Sequence, residues 1–235
     1  MKRLFAAIRN DFRLQWRYGL YYAAAFVSVV WIALLSRIPS RSLALALPFI
    51  IFTDLAVIGF YFIAGMIMFE KGEDTLSALV VTPLSFWEYL ASKLITLTLL
   101  AMAVTFVVVV PASRGQGISP APLAAGVVLT SLIILLVGFI AAARYDSISS
   151  FLLPSQLYLL PLSLPVLHYF GYWQSPVLYL IPTQGSLFLL RGAFTPLESW
   201  QVVYSLVYQV VWLIVLARLA HWSYNRYIIA GRGVH

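Results

Sequence analysis

The stretch LTLLAMAVTFVVVV, residues 97–110, contains no charged side chain and no regular alternation of polar and apolar residues. Strands of a membrane β-barrel alternate with a period of two, so this run predicts a helix instead. Comparable apolar runs of about 20 residues, the length that crosses a bilayer, recur along the chain. Of its 235 residues, 62% are hydrophobic and only 10% are charged. Because backbone groups in lipid must pair within their own segment, the sequence predicts an all-α, polytopic membrane protein.

Six segments are apolar and long enough to be transmembrane helices. They lie at about residues 19–36, 43–69, 88–110, 122–142, 151–171 and 197–219, and together form one transmembrane domain, 19–219. The fifth segment contains three prolines, which predict a kinked or locally unwound helix. The apolar stretch 172–200 is interrupted by Pro176, Pro182 and Gly185, so we expect a broken, re-entrant pair of short helices before the last span.

Both ends of the chain are basic. Residues 1–18 predict an amphipathic interfacial helix, because apolar and basic side chains fall on opposite faces at 100° per residue. The apolar face consists of Leu4, Phe5, Ile8, Phe12 and Trp16. Residues 220–235 predict a basic tail. Thr195, Pro196 and Glu198 have the order of an N-cap, a first-turn proline and a capping acid, which predicts that the last span begins there.

The distribution of positive charge predicts the topology. With six spans, both termini lie on one side, together with every lysine and arginine except Arg37, Arg41, Arg114 and Arg191. Positively charged residues favour the cytoplasmic side of a membrane protein. We therefore expect both termini to be cytoplasmic and the protein to lie in the cell inner (plasma) membrane.

The joint between the second and third spans, FEKGEDTLSALVVTPLSFWEYLASK (residues 69–93), is rich in charge and falls on the cytoplasmic side. Its apolar residues recur at helical spacing after a capping side chain, and a proline ends the pattern. The residues that define this short helix are Asp74, Thr75, Leu76, Leu79 and Pro83. Ser85 and Glu88 then form a capping box for the third span. An ordinary capped loop with hydrated charges is the alternative interpretation.

This joint resembles the cytoplasmic signature of type-2 ABC exporter permeases: an acid, then E-x-G-T-L-x-x-L, T-P-L-S, a Tyr-Leu pair and a lysine. The matching positions are Glu70, Glu73, Thr75, Leu76, Leu79, Thr82, Pro83, Leu84, Ser85, Tyr89, Leu90 and Lys93. The family more often has glycine next to threonine, whereas in this sequence Glu73 and Asp74 lie between Gly72 and Thr75. The resemblance implies a short cytoplasmic coupling helix that docks on a separate ATPase subunit. It implies as ATPase-coupling residues Glu70, Glu73, Asp74, Thr75, Leu76, Leu79, Thr82 and Pro83.

The chain has no G-x-x-x-x-G-K-[ST] loop, so we expect no nucleotide site of its own. The resemblance implies a homodimer of permeases with two copies of an ATPase subunit that uses ATP and Mg. No cofactor bound by this chain, no metal site and no nucleic acid partner are expected. The chain further resembles bacterial multidrug export permeases of the fluoroquinolone type. That similarity implies that the protein exports small amphipathic compounds. It also implies that membrane lipid contacts the protein.

Polar residues at membrane depth are candidates for the substrate pathway, because they are rare there and often line a route. These candidates are Asp54, Tyr61, Ser155, Gln156 and Tyr158. Asp54 alternatively lies near the outer interface or pairs with Arg37 or Arg41. The polar residues of the fifth span alternatively form ordinary hydrogen bonds between helices.

Other functions remain open at this point. A permease of the same family can carry lipid, peptide or another endogenous cargo, and a channel or scaffold needs no ATPase. An intramembrane enzyme needs convergent catalytic groups, but the sequence has no H-E-x-x-H motif and no paired carboxylates at depth. The sequence therefore favours a transport subunit over an enzyme.

Overall fold

The computed structural model describes residues 2–73, 75, 84–115 and 117–229, and this part of the chain is helical, without a β-strand. The helices are α1 (Lys2–Arg17), α2 (Leu20–Ser36), α3 (Ser40–Asp54), α4 (Phe60–Gly72), α5 (Phe86–Ala112), α6 (Pro120–Ala142), α7 (Ile148–Ser163), α8 (Pro165–Tyr169), α9 (Thr183–Gly192) and α10 (Ser199–Ser223). Leu55–Gly59 and Tyr224–Ile229 are π-helical, and Pro176–Leu180 is a 3₁₀ helix.

Within the described ranges, five helical segments are long and apolar enough to cross a membrane. They are Ser40–Gly72, Phe86–Ala112, Pro120–Ala142, Ile148–Tyr169 and Ser199–Ile229. A sixth span results if α1 and α2, bent by 63° at their junction, are counted together. Gly19 lies at this bend with φ of +76°, a left-handed conformation that side chains with a Cβ rarely adopt. The all-α, polytopic prediction is confirmed.

The central helix is α6, which packs against α4, α5, α9 and α10. Gly138 permits its close approach to α4: a Cβ there would lie 2.7 Å from Ile63 Cγ2 and 3.0 Å from the Phe60 carbonyl oxygen. Close backbone approach between helices is the usual role of small residues in membrane bundles. The core is therefore built around the α4–α6 contact.

The segment before the last span is broken, as predicted. It contains the 3₁₀ turn Pro176–Leu180 and then α9, which is buried against α3, α6 and α10. The preceding span is also divided, because α7 ends at Ser163 and α8 begins at Pro165. Proline cannot donate the hydrogen bond that would continue the helix across this point.

Two local features at the end of the chain differ from what the sequence suggested. The last span begins at Ser199, and its N-cap is Glu198, whose backbone N–H donates to Gln201 Oε1 over 3.2 Å. Thr195 does not cap it, because its hydroxyl donates instead to the Arg191 carbonyl oxygen at the end of α9. Helical structure also continues through residues 220–229, where the sequence predicted a tail.

Candidate coupling cluster and transport route

A buried group of charged side chains joins three helices around Lys93 of α5. The Lys93 ammonium contacts Asp11 Oδ1 of α1 at 3.1 Å and forms a short ion pair with Glu70 of α4. The side chains of all three residues are at most 5% exposed. Tyr89 donates to Glu70 Oε2 over 2.6 Å, and Ser92 donates to Asp11 Oδ2 over 2.5 Å. We call Asp11, Glu70, Tyr89, Ser92 and Lys93 the Lys93 cluster.

The inner face of α1 is polar, and it is this face that binds α5. Gln15 lies one turn after Asp11, is fully buried, and donates to Thr96 Oγ1 over 2.7 Å. Gln15 Oε1, the oxygen of its side-chain amide, accepts a 3.0 Å hydrogen bond from the Tyr21 hydroxyl of α2. The apolar side chains Phe5 and Trp16 are exposed instead. This arrangement leaves them available to lipid, as expected for an interfacial helix.

The last turn of α4 makes further contacts beyond the Lys93 cluster. Glu73 pairs with Arg17 over 2.8 Å and accepts a hydrogen bond from Tyr18. Burial is the main cause that raises the pKa of Tyr18 to about 12, and the negative charge of Glu73 is the next largest cause. The Tyr18 hydroxyl is therefore protonated at neutral pH and donates to Glu73. Lys71 donates to the carbonyl oxygens of Ala143 and Tyr145, 2.8 Å from each. The end of α4 is thus fixed to α1 and to the α6–α7 connection.

The predicted ATPase-coupling residues differ in burial. The Glu70 carboxylate is buried in the Lys93 cluster and paired with Lys93, so it is not exposed to solvent at this joint. Its role as a coupling residue stays a prediction. Glu73 and Thr75 are exposed, and the Thr75 hydroxyl donates to the Glu70 carbonyl oxygen over 3.0 Å. The predicted residues that lie outside the described part of the chain are Asp74, Leu76, Leu79, Thr82 and Pro83.

The capping box of α5 is confirmed. Ser85 Oγ accepts from the Glu88 backbone N–H at 3.3 Å, and the Ser85 N–H donates to Glu88 Oε2 at 3.0 Å. Residues 74–83 connect α4, which ends shortly after Glu70, to α5, which begins after its N-cap Ser85. The ion pair between Glu70 and Lys93 links these two helices.

Three of the predicted pathway residues lie together between α4 and α7. The Tyr61 and Ser155 hydroxyls are 2.9 Å apart, and Gln156 Nε2 donates to Tyr61 Oη over 2.8 Å. Ser155 is fully buried, whereas Gln156 is exposed on the outer face of α7. A cavity of about 250 Å³ extends from Tyr61 past Gly65 towards the end of α4. These three residues form what we call the Tyr61 triad.

Two predicted pathway residues lie elsewhere. Tyr158, which follows Ser155 at i+3 on α7, accepts a 3.3 Å hydrogen bond from Arg144. Asp54 accepts a 3.0 Å hydrogen bond from Trp31 Nε1, rather than pairing with Arg37 or Arg41. Its cavity, of about 30 Å³, has room for a water molecule and is too small for a drug-sized compound, which needs about 300 Å³. The role of Asp54 in a substrate pathway therefore stays a prediction.

Asp11 and Gln15 were not predicted as functional residues. Asp11 is the one acid in a helix that is otherwise basic, and Gln15 follows it at i+4, on the same face. This spacing of two polar residues was the available signal. It was hidden by the stronger basic and apolar pattern of the same helix.

Together, these features define a multi-pass helical membrane protein whose buried polar groups lie at a charged helical joint and along a span interface. Residues 2–232 match the Fluoroquinolones export permease protein family. The chain is 43% identical, over 237 aligned positions, to fluoroquinolones export permease proteins from two strains of Mycobacterium tuberculosis, CDC 1551 / Oshkosh and ATCC 25618 / H37Rv. Each alignment covers 100% of both chains. The chain therefore belongs to the fluoroquinolones export permease family.

Proposed function

We propose that this chain is the membrane-spanning subunit of an ATP-driven exporter that moves small amphipathic, drug-like compounds out of the cell. A separate ABC ATPase supplies the energy, and its dimer binds two copies of the permease. ATP and Mg are used only by that partner, and the permease itself catalyses no reaction. In this proposal the protein lies in the plasma membrane with both termini in the cytoplasm.

The observation that carries the proposal is the Lys93 cluster. It joins α4 and α5 where they enter and leave residues 74–83, the segment that resembles a coupling helix. A buried ion pair with hydrogen-bonded oxygens resists separation, because an unpaired charge left behind is costly. A displacement of residues 74–83 by the ATPase therefore moves α4, α5 and α1 together. Such rigid-body movement is a common way to shift a transporter between conformations.

The cargo route in this proposal passes along the outer face of α7. Leu153 and Leu157 are exposed on this helix beside Gln156, which is itself held by Tyr61. An apolar surface with one polar group can face either lipid or a second copy of the permease. A route between two copies offers apolar contacts and a hydrogen-bonding group, which suits an amphipathic compound. The drug class in the relatives' names supports the same choice of cargo.

Reconstitution of the permease with its ABC ATPase in proteoliposomes tests this function. We expect ATP-dependent accumulation of a fluorescent fluoroquinolone, ciprofloxacin, in vesicles whose ATPase faces outward. Glu73→Gln and Leu76→Ala are expected to lower transport severalfold while the permease remains folded. Asp146→Asn is the matched control: this acid lies on the same predicted side and is almost fully exposed, and its 3.3 Å contact with Lys71 is an addition to the two shorter carbonyl contacts that Lys71 keeps.

Three results would contradict the proposal. The first is a flux that does not depend on ATP, which would indicate a channel. The second is the absence of any ATPase that co-purifies with the permease. The third is undiminished transport in both coupling variants, which would remove the role of residues 74–83.

A further inference from the structure

The exposed face of α10 changes from apolar to basic near its end. With its π-helical continuation, this helix extends over Ser199–Ile229. At 1.5 Å per residue it is about 45 Å long, whereas the hydrocarbon core of a bilayer is about 30 Å thick. Val215, Arg218, Trp222 and Arg226 follow one another at spacings of three or four residues, so they share one face, and all four are exposed. The basic part of this face therefore extends beyond the hydrocarbon.

This end of α10 lies beside the start of α5, at the same end of the bundle as the Lys93 cluster. The centre of the His221 ring is 4.9 Å from that of Phe86 and 5.4 Å from that of Trp87. The side chains of Trp87 and Trp222 are both half-exposed. Tryptophan is enriched where hydrocarbon meets the lipid headgroups. Trp222 is therefore at headgroup level, and in the topology proposed above this is the cytoplasmic leaflet.

Arginine and aromatic side chains alternate on this surface. The Arg226 guanidinium carbon is 5.7 Å from the centre of the Trp222 ring. The Tyr227 ring meets Trp222 edge-on at 5.9 Å, and the guanidinium carbon of Arg144, in the α6–α7 connection, is 5.3 Å from the Tyr227 ring centre. Cation–π attraction thus holds two positive charges on two adjoining rings. We call Arg144, Arg218, Trp222, Arg226 and Tyr227 the basic patch.

The positive charges of the basic patch are not neutralised by the protein. Within residues 2–73, 75, 84–115 and 117–229, none of its three arginines forms an ion pair. Asp146, two residues after Arg144, contacts Lys71 instead. A guanidinium presents donors in a planar fork that matches two oxygens of a phosphate. At headgroup level, the phosphate of a lipid is an anion that these donors can bind.

We propose that the basic patch binds the headgroup of an anionic phospholipid. Its phosphate accepts from Arg218 and Arg226, and its acyl chains lie along the apolar face that contains Val215. Clusters of basic residues at the cytoplasmic surface of a membrane protein favour such lipids. A second copy of the chain fits this face poorly, because a two-fold contact would bring the same arginines together. The site is additional to the proposed export function and does not depend on it.

Lipid binding to the purified full-length permease tests the inference. The protein in dodecylmaltoside micelles is titrated separately with dioleoylphosphatidylglycerol and with dioleoylphosphatidylcholine, which has the same acyl chains and no net charge. Native mass spectrometry measures the bound fraction. We expect saturable binding of phosphatidylglycerol with an affinity at least about fivefold higher, the factor that one arginine near an anionic lipid provides. Soluble glycerol 3-phosphate is expected to bind more weakly than the lipid, because it lacks the acyl chains.

Variants locate the binding. The double variant Arg218→Gln, Arg226→Gln is expected to lower the affinity for phosphatidylglycerol at least about fivefold and to leave phosphatidylcholine unchanged. Trp222→Leu keeps every charge but removes the ring under Arg226, so it is also expected to weaken phosphatidylglycerol binding. The control variant Arg37→Gln, Arg41→Gln removes two exposed charges at the other end of the bundle and is expected to change nothing. Thermal melting without lipid verifies that each variant is folded.

Equal affinity of the native chain for the two lipids overturns the inference, and this comparison needs no variant. An equal loss in the double variant and in its control also overturns it, because net charge alone would then be the cause. Glycerol 3-phosphate that binds as tightly as the lipid excludes a lipid site. A double variant that keeps its lipid affinity but no longer co-purifies with the ABC ATPase assigns the basic patch to that partner instead. Lipid binding is measured without ATP, so its failure leaves the proposed export function standing.

Discussion

Replacing Lys93 by methionine is expected to destabilise the junction of α1, α4 and α5. The substitution retains most of the side-chain volume but removes the ammonium. Asp11 and Glu70 then face each other as buried carboxylates without a counter-charge. Their remaining donors, the hydroxyls of Ser92 and Tyr89, do not carry a positive charge.

The expected loss is large because the cluster is dry. Lys93 has no exposed surface, and the side chains of both acids are 5% exposed. Breaking a buried ion pair by removing one partner costs about 3–5 kcal/mol, which is a large part of the stability of a typical domain. The neutral triple variant Asp11→Asn, Glu70→Gln, Lys93→Met leaves no charge to bury. It should therefore recover most of that loss, because hydrogen-bonded or apolar replacements of buried ion pairs are often close to neutral.

Unfolding of the purified permease in mixed micelles, titrated with a denaturing detergent, measures both effects. Lys2→Met is the control, because it removes the same ammonium from an exposed position of α1. The reasoning is refuted if Lys93→Met changes the unfolding free energy by less than about 1 kcal/mol, the range of surface ion pairs. It is equally refuted if the triple variant is less stable than the single variant, since the buried charges would then not be the cause.

Two further substitutions test the packing and the route. Gly138→Ala is expected to cost about 1–3 kcal/mol, because its Cβ meets the Phe60 carbonyl oxygen, whereas Gly65→Ala, with 3.9 Å of space, should be neutral; thermal melting in detergent compares the two. Tyr61→Phe removes the hydroxyl that binds Gln156 and is expected to lower ATP-driven transport severalfold at unchanged stability; transport equal to the native chain would exclude the Tyr61 triad from the route.

The architecture could be predicted from the sequence because lipid allows few solutions. Apolar length predicted the five long spans, whereas the first predicted span reaches that length only together with α1. The prolines of the fifth span predicted an interruption, and the structure places it at Pro165. The π-helical turn at Leu55–Gly59 could not be predicted, since it depends on how neighbouring helices pack and has no local signature. The capping residue of the last span was mispredicted, because two overlapping cap patterns compete there and the Thr195 hydroxyl is used by the preceding helix.

The candidate site was predictable to the extent that its residues are close in sequence. The capping box of Ser85 and Glu88 is local, and it was identified correctly. The burial of Glu70 depends on Lys93 and on Asp11, which is far away along the chain in a helix whose charge pattern suggested only lipid contact. A motif that marks a docking segment gives no information on which of its acids face inward. Only the packing of α1 against α5 decides this.

The separation between the Lys93 cluster and the broken segment before the last span constrains how movement can pass through the protein. α7 and α10 extend from the level of the cluster to the other end of the bundle, where α8 follows α7 and α9 packs on α10. A Cβ at Gly185 would lie 3.0 Å from the Ser205 Cα, so α9 has little freedom to move without α10. A tilt of α10 that begins at the end near the Lys93 cluster would therefore carry α9 with it and change the packing of the segment before the last span.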